Sequence, residues 1–174
     1  MPTQPDSQSA AGAWSQPIRG LAGRLRVELE DLTSGLRHAV YLELQNHFFD
    51  PVAVTNQPEI RAELLDSSGN PVGTSALSMS GPIPEPQWGV IPRDAYMEFR
   101  VDMQTVGVPT REHGVALLAL GGKSWELKVG EYVLKTTLVF QKQEDAPPNQ
   151  WVGDLEPPPV EVVVTIDPHR TACI

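Results

Sequence analysis

The residues that could hold a metal ion are few and far apart. The four histidines are His38, His47, His113 and His169, and no two of them have the spacing of a zinc motif. The single cysteine, Cys173, is second from the C-terminus. A zinc site needs three or four nitrogen or sulfur ligands that converge. The sequence therefore predicts no metal centre and no cofactor, with the histidines as structural or surface residues.

The segment Gly121-Gly122-Lys123-Ser124 shares its last three residues with phosphate-binding loops. Such a loop needs another glycine five positions before the one that precedes the lysine, and a helix after it. This chain has Leu117 at that position, and residues 125–129 have the character of a strand. The two glycines therefore predict a hairpin turn. The sequence also lacks the Gly-x-Ser-x-Gly pattern of a nucleophile elbow.

Acidic residues are numerous, 22 in all, and some fall close together. Glu28, Glu30 and Asp31 form one group, and Glu43 could lie on a neighbouring strand. Two carboxyl groups at a controlled separation in a cleft could hydrolyse a glycosidic bond, but alternating acids on a strand usually form a solvated face. The loop 66–70 has a single carboxylate and lacks the spacing of a calcium loop, so it predicts a plain turn.

The tryptophans are the more informative residues, because they fall near predicted strand ends. They could close the ends of a core, or they could form an exposed recognition patch. The best candidates for binding a partner are Trp88, Val90 and Ile91, since flanking prolines would order their loop before binding. The four tryptophans are Trp14, Trp88, Trp125 and Trp151.

Trp151 leads to a specific expectation about packing. It follows a polar segment and precedes the proline run 157–159, which suits an extended approach to a final strand. We expect Trp151 to pack on the core near the end of the strand 132–140. The competing interpretation is a solvent-exposed recognition residue.

Composition limits both the fold and the class of partner. The 174 residues include 17 prolines and 14 glycines, too many for a helical bundle. The net charge is −9, which argues against a nucleic-acid partner. The longest apolar run, residues 115–120, is far below the roughly 20 residues that span a bilayer. We therefore expect no membrane span, and any partner would be a protein or another macromolecule.

Most of the chain from Leu21 onward alternates apolar and polar residues with a period of two. Turn residues separate these segments, and helical periods are missing. The pattern predicts an all-β protein, an antiparallel two-sheet immunoglobulin-like β-sandwich of seven to nine strands. The predicted core residues are Leu25, Val27, Leu42, Leu44, Phe99, Val101, Leu134, Leu138 and Val162.

Three stretches carry a family resemblance. Residues 14–21 lead into the first alternating strand, 129–136 contain Gly-Glu-Tyr-Val-Leu, and 151–164 read Trp-Val-Gly-Asp-Leu-Glu-Pro-Pro-Pro followed by a valine-rich strand. Together they resemble bacterial immunoglobulin-like or fibronectin-III-like domains, with related intracellular proteinase-inhibitor-like architecture. The resemblance implies a β-sandwich over most of residues 14–166 and implies no activity.

The expected organisation is a disordered tail over 1–13, one domain over 14–168 and a C-terminal tail over 169–174. The N-terminal segment lacks the pattern of a secretory signal, so cytoplasmic localisation is expected. Two functions fit these observations. The first is a non-catalytic interaction module that binds through loops or a sheet edge. The second is a hydrolase or carbohydrate-active domain that uses converging carboxylates. The sequence leaves the oligomeric state open.

Overall fold

The computed structural model describes residues 9–32, 34–75, 85–103 and 114–165. Within these ranges the protein is all-β, with no helix. The strands are β1 (Ser9–Ala11), β2 (Leu21–Leu32), β3 (Gly35–Asn46), β4 (Val52–Thr55), β5 (Glu59–Asp66), β6 (Trp88–Ile91), β7 (Tyr96–Arg100), β8 (Ala116–Leu120), β9 (Lys123–Leu127), β10 (Gly130–Phe140), β11 (Gly153–Leu155) and β12 (Val160–Val164). The seven to nine strands expected were too few, because short strands such as β4, β6 and β11 have too few residues to show a period.

The largest sheet is built around the long β2–β3 hairpin. Its order is β1-β2-β3-β8-β9, and β7 also pairs with β3. The hairpin runs from Leu21 opposite Asn46 to Leu32 opposite Gly35. One edge of β3 is shared, because its second half pairs with β7 and its first half pairs in parallel with β8. The hairpin pairs apolar residues with apolar residues, such as Leu25 with Leu42, and charged residues with charged residues, such as Arg24 with Glu43. This sheet therefore has one apolar and one charged face.

A second sheet is centred on β10, with β5 along one edge and both β12 and β11 along the other. The third sheet is a two-stranded ribbon of β4 and β6. Side chains from all three sheets join one hydrophobic cluster. The described residues contain no helix long and apolar enough to cross a membrane.

The predicted core is confirmed, with one difference in depth. Phe99 and Val101 are only partly buried and pack against the main cluster from its margin. Both come from the short strand β7 or its end. The other seven predicted residues, Leu25, Val27, Leu42, Leu44, Leu134, Leu138 and Val162, are buried.

Two predicted turns are confirmed. Gly121 and Gly122 join β8 to β9 with φ values of 58° and 75°, which suits a two-residue hairpin that needs positive φ at both positions. In the loop after β5, the carboxylate of Asp66 accepts hydrogen bonds from the N–H groups of Ser68 and Asn70, each at 2.9 Å. The bond from Asn70 is the main cause of the lowered pKa of Asp66.

The expected N-terminal boundary needs a correction. Strand β1 pairs with β2, with Ser9 opposite Glu28, and the N–H of Gly12 donates to the carbonyl of Leu25 at 2.8 Å. Pairing satisfies backbone groups along an edge of β2 that would otherwise be open. Ordered chain therefore begins before residue 13. The remaining tail assignments, 1–8 and 169–174, lie outside the described residues, as do His113, His169 and Cys173.

Candidate interaction site

The β4–β6 ribbon positions all three residues predicted to bind a partner. Trp88 lies opposite Thr55, and Ile91 lies opposite Val52. Successive side chains of a strand point to opposite faces, so Trp88 and Val90 share one face of the ribbon while Ile91 takes the other. The ribbon therefore divides the predicted set.

The inward face of β6 belongs to the core. Ile91 is fully buried, and so it is not part of an accessible surface. A Cβ atom at Gly89 would overlap the end of the Met97 side chain and lie 3.1 Å from the ring of Phe99. Strand β6 therefore lies close to β7 at Gly89.

The outward face of β6 is accessible. The side chain of Trp88 is half-buried, and Val90 is 49% exposed. Of the three predicted residues, these two remain candidates for contact with a partner. The sequence had suggested Trp88, Val90 and Ile91 together, but successive residues of a strand point to opposite faces, and Ile91 is on the face away from the other two.

The hydrogen bonds around the ribbon show which backbone groups are free. The N–H of Asn56 donates to the carbonyl of Gln87 at 3.0 Å. On the opposite edge of β4, Ala53 exchanges bonds with Asn149 and Trp151, at 3.0 and 2.9 Å. Bonded and non-bonded pairs alternate along an antiparallel ladder. The residues opposite Ala53 and Thr55, which are Val90 and Trp88, therefore direct their N–H and C=O groups away from β4.

Nothing in the described part of the chain satisfies these four groups. Strand β6 pairs with β4 alone, and no other backbone bond involves Trp88 or Val90 there. We call these N–H and C=O groups of Trp88 and Val90, with their two side chains, the β6 edge. An edge of this kind is a template for another extended chain.

Two exposed phenylalanines in the turn between β3 and β4 lie near the residues that follow β6. The guanidinium of Arg93 lies 4.7 Å from the ring centroid of Phe49. Phe49 is 76% exposed and its neighbour Phe48 is 47% exposed. This pair was not among the residues predicted from the sequence, although two adjacent phenylalanines in a turn between strands are a signal that could have found it.

Trp151 is a core residue, as expected, and not a recognition residue. It is 6% exposed and packs edge-on against Phe140, at the end of β10. Trp125 is also fully buried and donates its indole N–H to the carbonyl of Val72 at 3.2 Å. Trp14 lies under the guanidinium of Arg24, 4.7 Å away. Trp88 thus differs from Trp125 and Trp151, because it lies on an unpaired strand edge and is only half-buried.

The acidic residues singled out in the sequence meet arginines on the outer face of the first sheet. Glu43 is buried and accepts hydrogen bonds from Arg24 at 2.7 Å and from Arg26 at 3.2 Å. Arg26 also contacts Glu28 and, at 2.5 Å, Glu98. The carboxylates around Glu43 are therefore held by arginines.

A second ion-pair group lies on the same face. Arg100 donates to both oxygens of Glu30, at 3.0 and 2.8 Å, and to both oxygens of Asp102, at 2.7 and 3.1 Å. The hydrogen bond to Asp102 is the main reason that the pKa of Arg100 is raised. Asp102 also accepts from the N–H of Val40 at 3.2 Å. These bonds fix the end of β7 to both β2 and β3.

The described histidines do not gather into a metal site. His47 is exposed, whereas His38 is buried on the core side of β3. Within the described residues both ring nitrogens of His38 lack a hydrogen-bond partner, and burial lowers the pKa of His38 to about 4. No group of three or more potential metal ligands occurs across those ranges.

A polar cavity of about 390 Å³ lies beside the ribbon, between the start of β5 and the end of β10. Its lining includes Thr55, the cross-strand neighbour of Trp88. Lining groups bond to one another, as where the amide of Gln141 donates to Glu59 at 2.8 Å.

Comparison with known proteins gives no match to this chain among protein-family models, curated proteins or solved structures. The function therefore has to be inferred from the geometry of the site.

Proposed function

We propose that this protein is a non-catalytic interaction module with an immunoglobulin-like sandwich arrangement, and that it binds an extended protein segment at the β6 edge. The observation that carries this proposal is the outward direction of the N–H and C=O groups of Trp88 and Val90. An added strand gains affinity from backbone hydrogen bonds, and alternate side chains give specificity.

The side chains at the edge support the same function. Half-buried Trp88 and half-exposed Val90 flank Gly89 on one face, where an added strand could contact both. Aromatic and β-branched residues form favourable cross-strand pairs, each worth about 0.2–1 kcal/mol. Residues 87–91 carry no charge that would repel an added strand.

The sandwich arrangement is supported by the single core that the two larger sheets share.

The absence of catalysis is supported by the ion pairs that the acids form with arginines on the outer face of the first sheet. Glu43 and Glu98, which lie opposite each other, are both bonded to Arg26. A glycosidase needs two carboxyl groups that are free to reach its substrate, whereas these two are occupied by an arginine.

The proposal can be tested by selecting random peptides displayed on phage against the full chain. Val90→Pro removes one outward N–H and should abolish the binding of selected peptides, because proline cannot donate to a ladder. Val90→Thr keeps the N–H and the β-branch, so it should bind those peptides within a few-fold of the original chain. Peptides that bind the proline variant equally well would contradict strand addition at β6.

A further inference from the structure

We infer that the segment taken up by the β6 edge is β6 of a second copy of this chain, paired antiparallel about a two-fold axis at Gly89. This inference rests on the proposed function and names the partner. Its basis is that the chain from 85 to 93 is self-complementary in backbone donors, in prolines and in charge.

The backbone groups match when Gly89 lies opposite Gly89 of the second copy. Trp88 then lies opposite Val90 of the second copy, and Val90 opposite Trp88. Both residues present an outward N–H and C=O, so the two pairs form four hydrogen bonds. The central glycines form a non-bonded pair, where Cα atoms approach to about 4.5 Å. Aromatic and β-branched side chains meet on either side of the axis.

Prolines end this ladder at the same point on both sides. Pro86 and Pro92 each lie three residues from Gly89, so each falls opposite the other proline of the second copy. Both prolines lie an even number of residues from Trp88 and Val90, so a backbone N–H at either position would point outward. Proline has no backbone N–H. The pairing is therefore confined to the two residues that can bond.

Charges are complementary immediately beyond the prolines. Glu85 and Arg93 each lie four residues from Gly89, and so this register brings Glu85 near Arg93 of the second copy at both ends. Arg93 is exposed, stacks on Phe49 and contacts Asp94 at 3.2 Å. At the other end of the segment, the side-chain amide of Gln57 donates to the carbonyl of Glu85 at 3.5 Å. This bond holds residue 85 near β4. A net charge of −9 would oppose dimerisation, but opposite charges face each other here.

The interface is short, so the dimer should be weak. A stable complex usually buries at least about 1,200 Å² in total, more than four strand residues and their flanks supply. We expect a dissociation constant of roughly 10 µM to 1 mM, with rapid exchange.

Sedimentation velocity on the full chain, between about 10 µM and 1 mM, tests the inference. The 19.0 kDa chain should shift from monomer toward dimer as concentration rises. Val90→Pro should stay monomeric while its circular dichroism remains that of the original chain, and Val90→Thr should still dimerise. A chain that is monomeric throughout this range would overturn the inference, as would an undiminished dimer of a folded Val90→Pro.

Exchanging the charges of residues 85 and 93 gives a second test, which does not depend on the folding of Val90→Pro. Glu85→Arg and Arg93→Glu should each weaken the dimer roughly tenfold, because the two-fold axis doubles an exposed ion pair and places like charges together. The double variant should recover most of the loss. Equal additive losses without recovery would contradict the register. A monomeric chain whose selected peptides still require the N–H of residue 90 would refute the dimer and leave the proposed function standing.

Discussion

The indole of Trp151 meets the ring of Phe140 edge-on, with the ring centroids 5.4 Å apart and an interplanar angle of 88°. This contact joins the end of β10 to the segment that runs beside β4, because the N–H of Trp151 donates to the carbonyl of Ala53. It fixes the point at which the chain re-enters the core after residues 143–150. The ribbon that carries the β6 edge is therefore supported from this side.

Trp151→Ala should lower the free energy of unfolding by about 3–5 kcal/mol, because it empties a closed site. Trp151→Phe is the matched control. Within the described residues the indole N–H of Trp151 is buried without a partner, so phenylalanine loses volume but no hydrogen bond and should cost clearly less. Urea unfolding measures both. An unchanged midpoint for Trp151→Ala would contradict the anchoring role.

The hairpin glycines should differ in their tolerance of alanine. Both have positive φ, which costs a side chain about 1–2 kcal/mol. At Gly121 a Cβ atom would also overlap the carbonyl oxygen of Ile60, whereas nothing lies within 4 Å at Gly122. Gly121→Ala should therefore destabilise the fold by at least about 1 kcal/mol more than Gly122→Ala. Equal losses in thermal unfolding would show that the turn does not pack on β5 in this way.

The buried carboxylate of Glu43 should matter more than an exposed one. Its side chain is 6% exposed and is shared by Arg24 and Arg26. Glu43→Ala leaves these guanidinium groups without their common partner, and we expect a loss of about 2 kcal/mol because both arginines keep some solvent contact. Glu59→Ala, which breaks the exposed pair with Arg61 and an exposed hydrogen bond from Gln141, is the control and should change stability by less than about 1 kcal/mol. A smaller loss at Glu43 than at Glu59 in urea unfolding would contradict this account.

His38 should make the fold sensitive to mild acid. Its pKa falls from 6.5 to about 4 through burial, so the unfolded chain binds a proton more readily than the folded one. The stability linked to His38 is complete above pH 6.5 and is lost as the pH falls toward 4, for a total of about 3 kcal/mol. His38→Leu should remove this part of the pH dependence, as measured by urea unfolding at intervals from pH 7 to pH 4. Parallel profiles for the two proteins would contradict a buried neutral imidazole.

Long strands could be predicted from the sequence because their period is visible over many residues. Leu25, Val27, Leu42 and Leu44 alternate with charged or other polar residues, and all four are buried as expected. A strand of four residues gives no such signal. The ribbon of β4 and β6 forms because Val52, Val54 and Ile91 join the core from distant parts of the chain, and this pairing cannot be seen locally.

The site was predicted only in part for the same reason. Trp88 and Val90 could be singled out as apolar residues between prolines, but the inward direction of Ile91 depends on the register with Val52. The outward direction of the N–H and C=O groups of Trp88 and Val90 depends on the phase of the β4–β6 ladder, which the bonds of Ala53 reveal only in the folded chain. The acids were foreseen as a cluster, whereas the arginines that pair with them come from β2, from β3 and from the distant strand β7.

Residue-resolved amide hydrogen exchange, followed by NMR, tests the central claim about the β6 edge most directly. In dilute solution the N–H groups of Trp88 and Val90 should exchange rapidly, while those of Gly89 and Ile91, which face β4, should be protected. At high concentration, or with a selected peptide, the first two should become protected as well. Strong protection of Trp88 and Val90 in the dilute chain, equal to that of Gly89 and Ile91, would contradict the account, because it would mean that this edge is already paired.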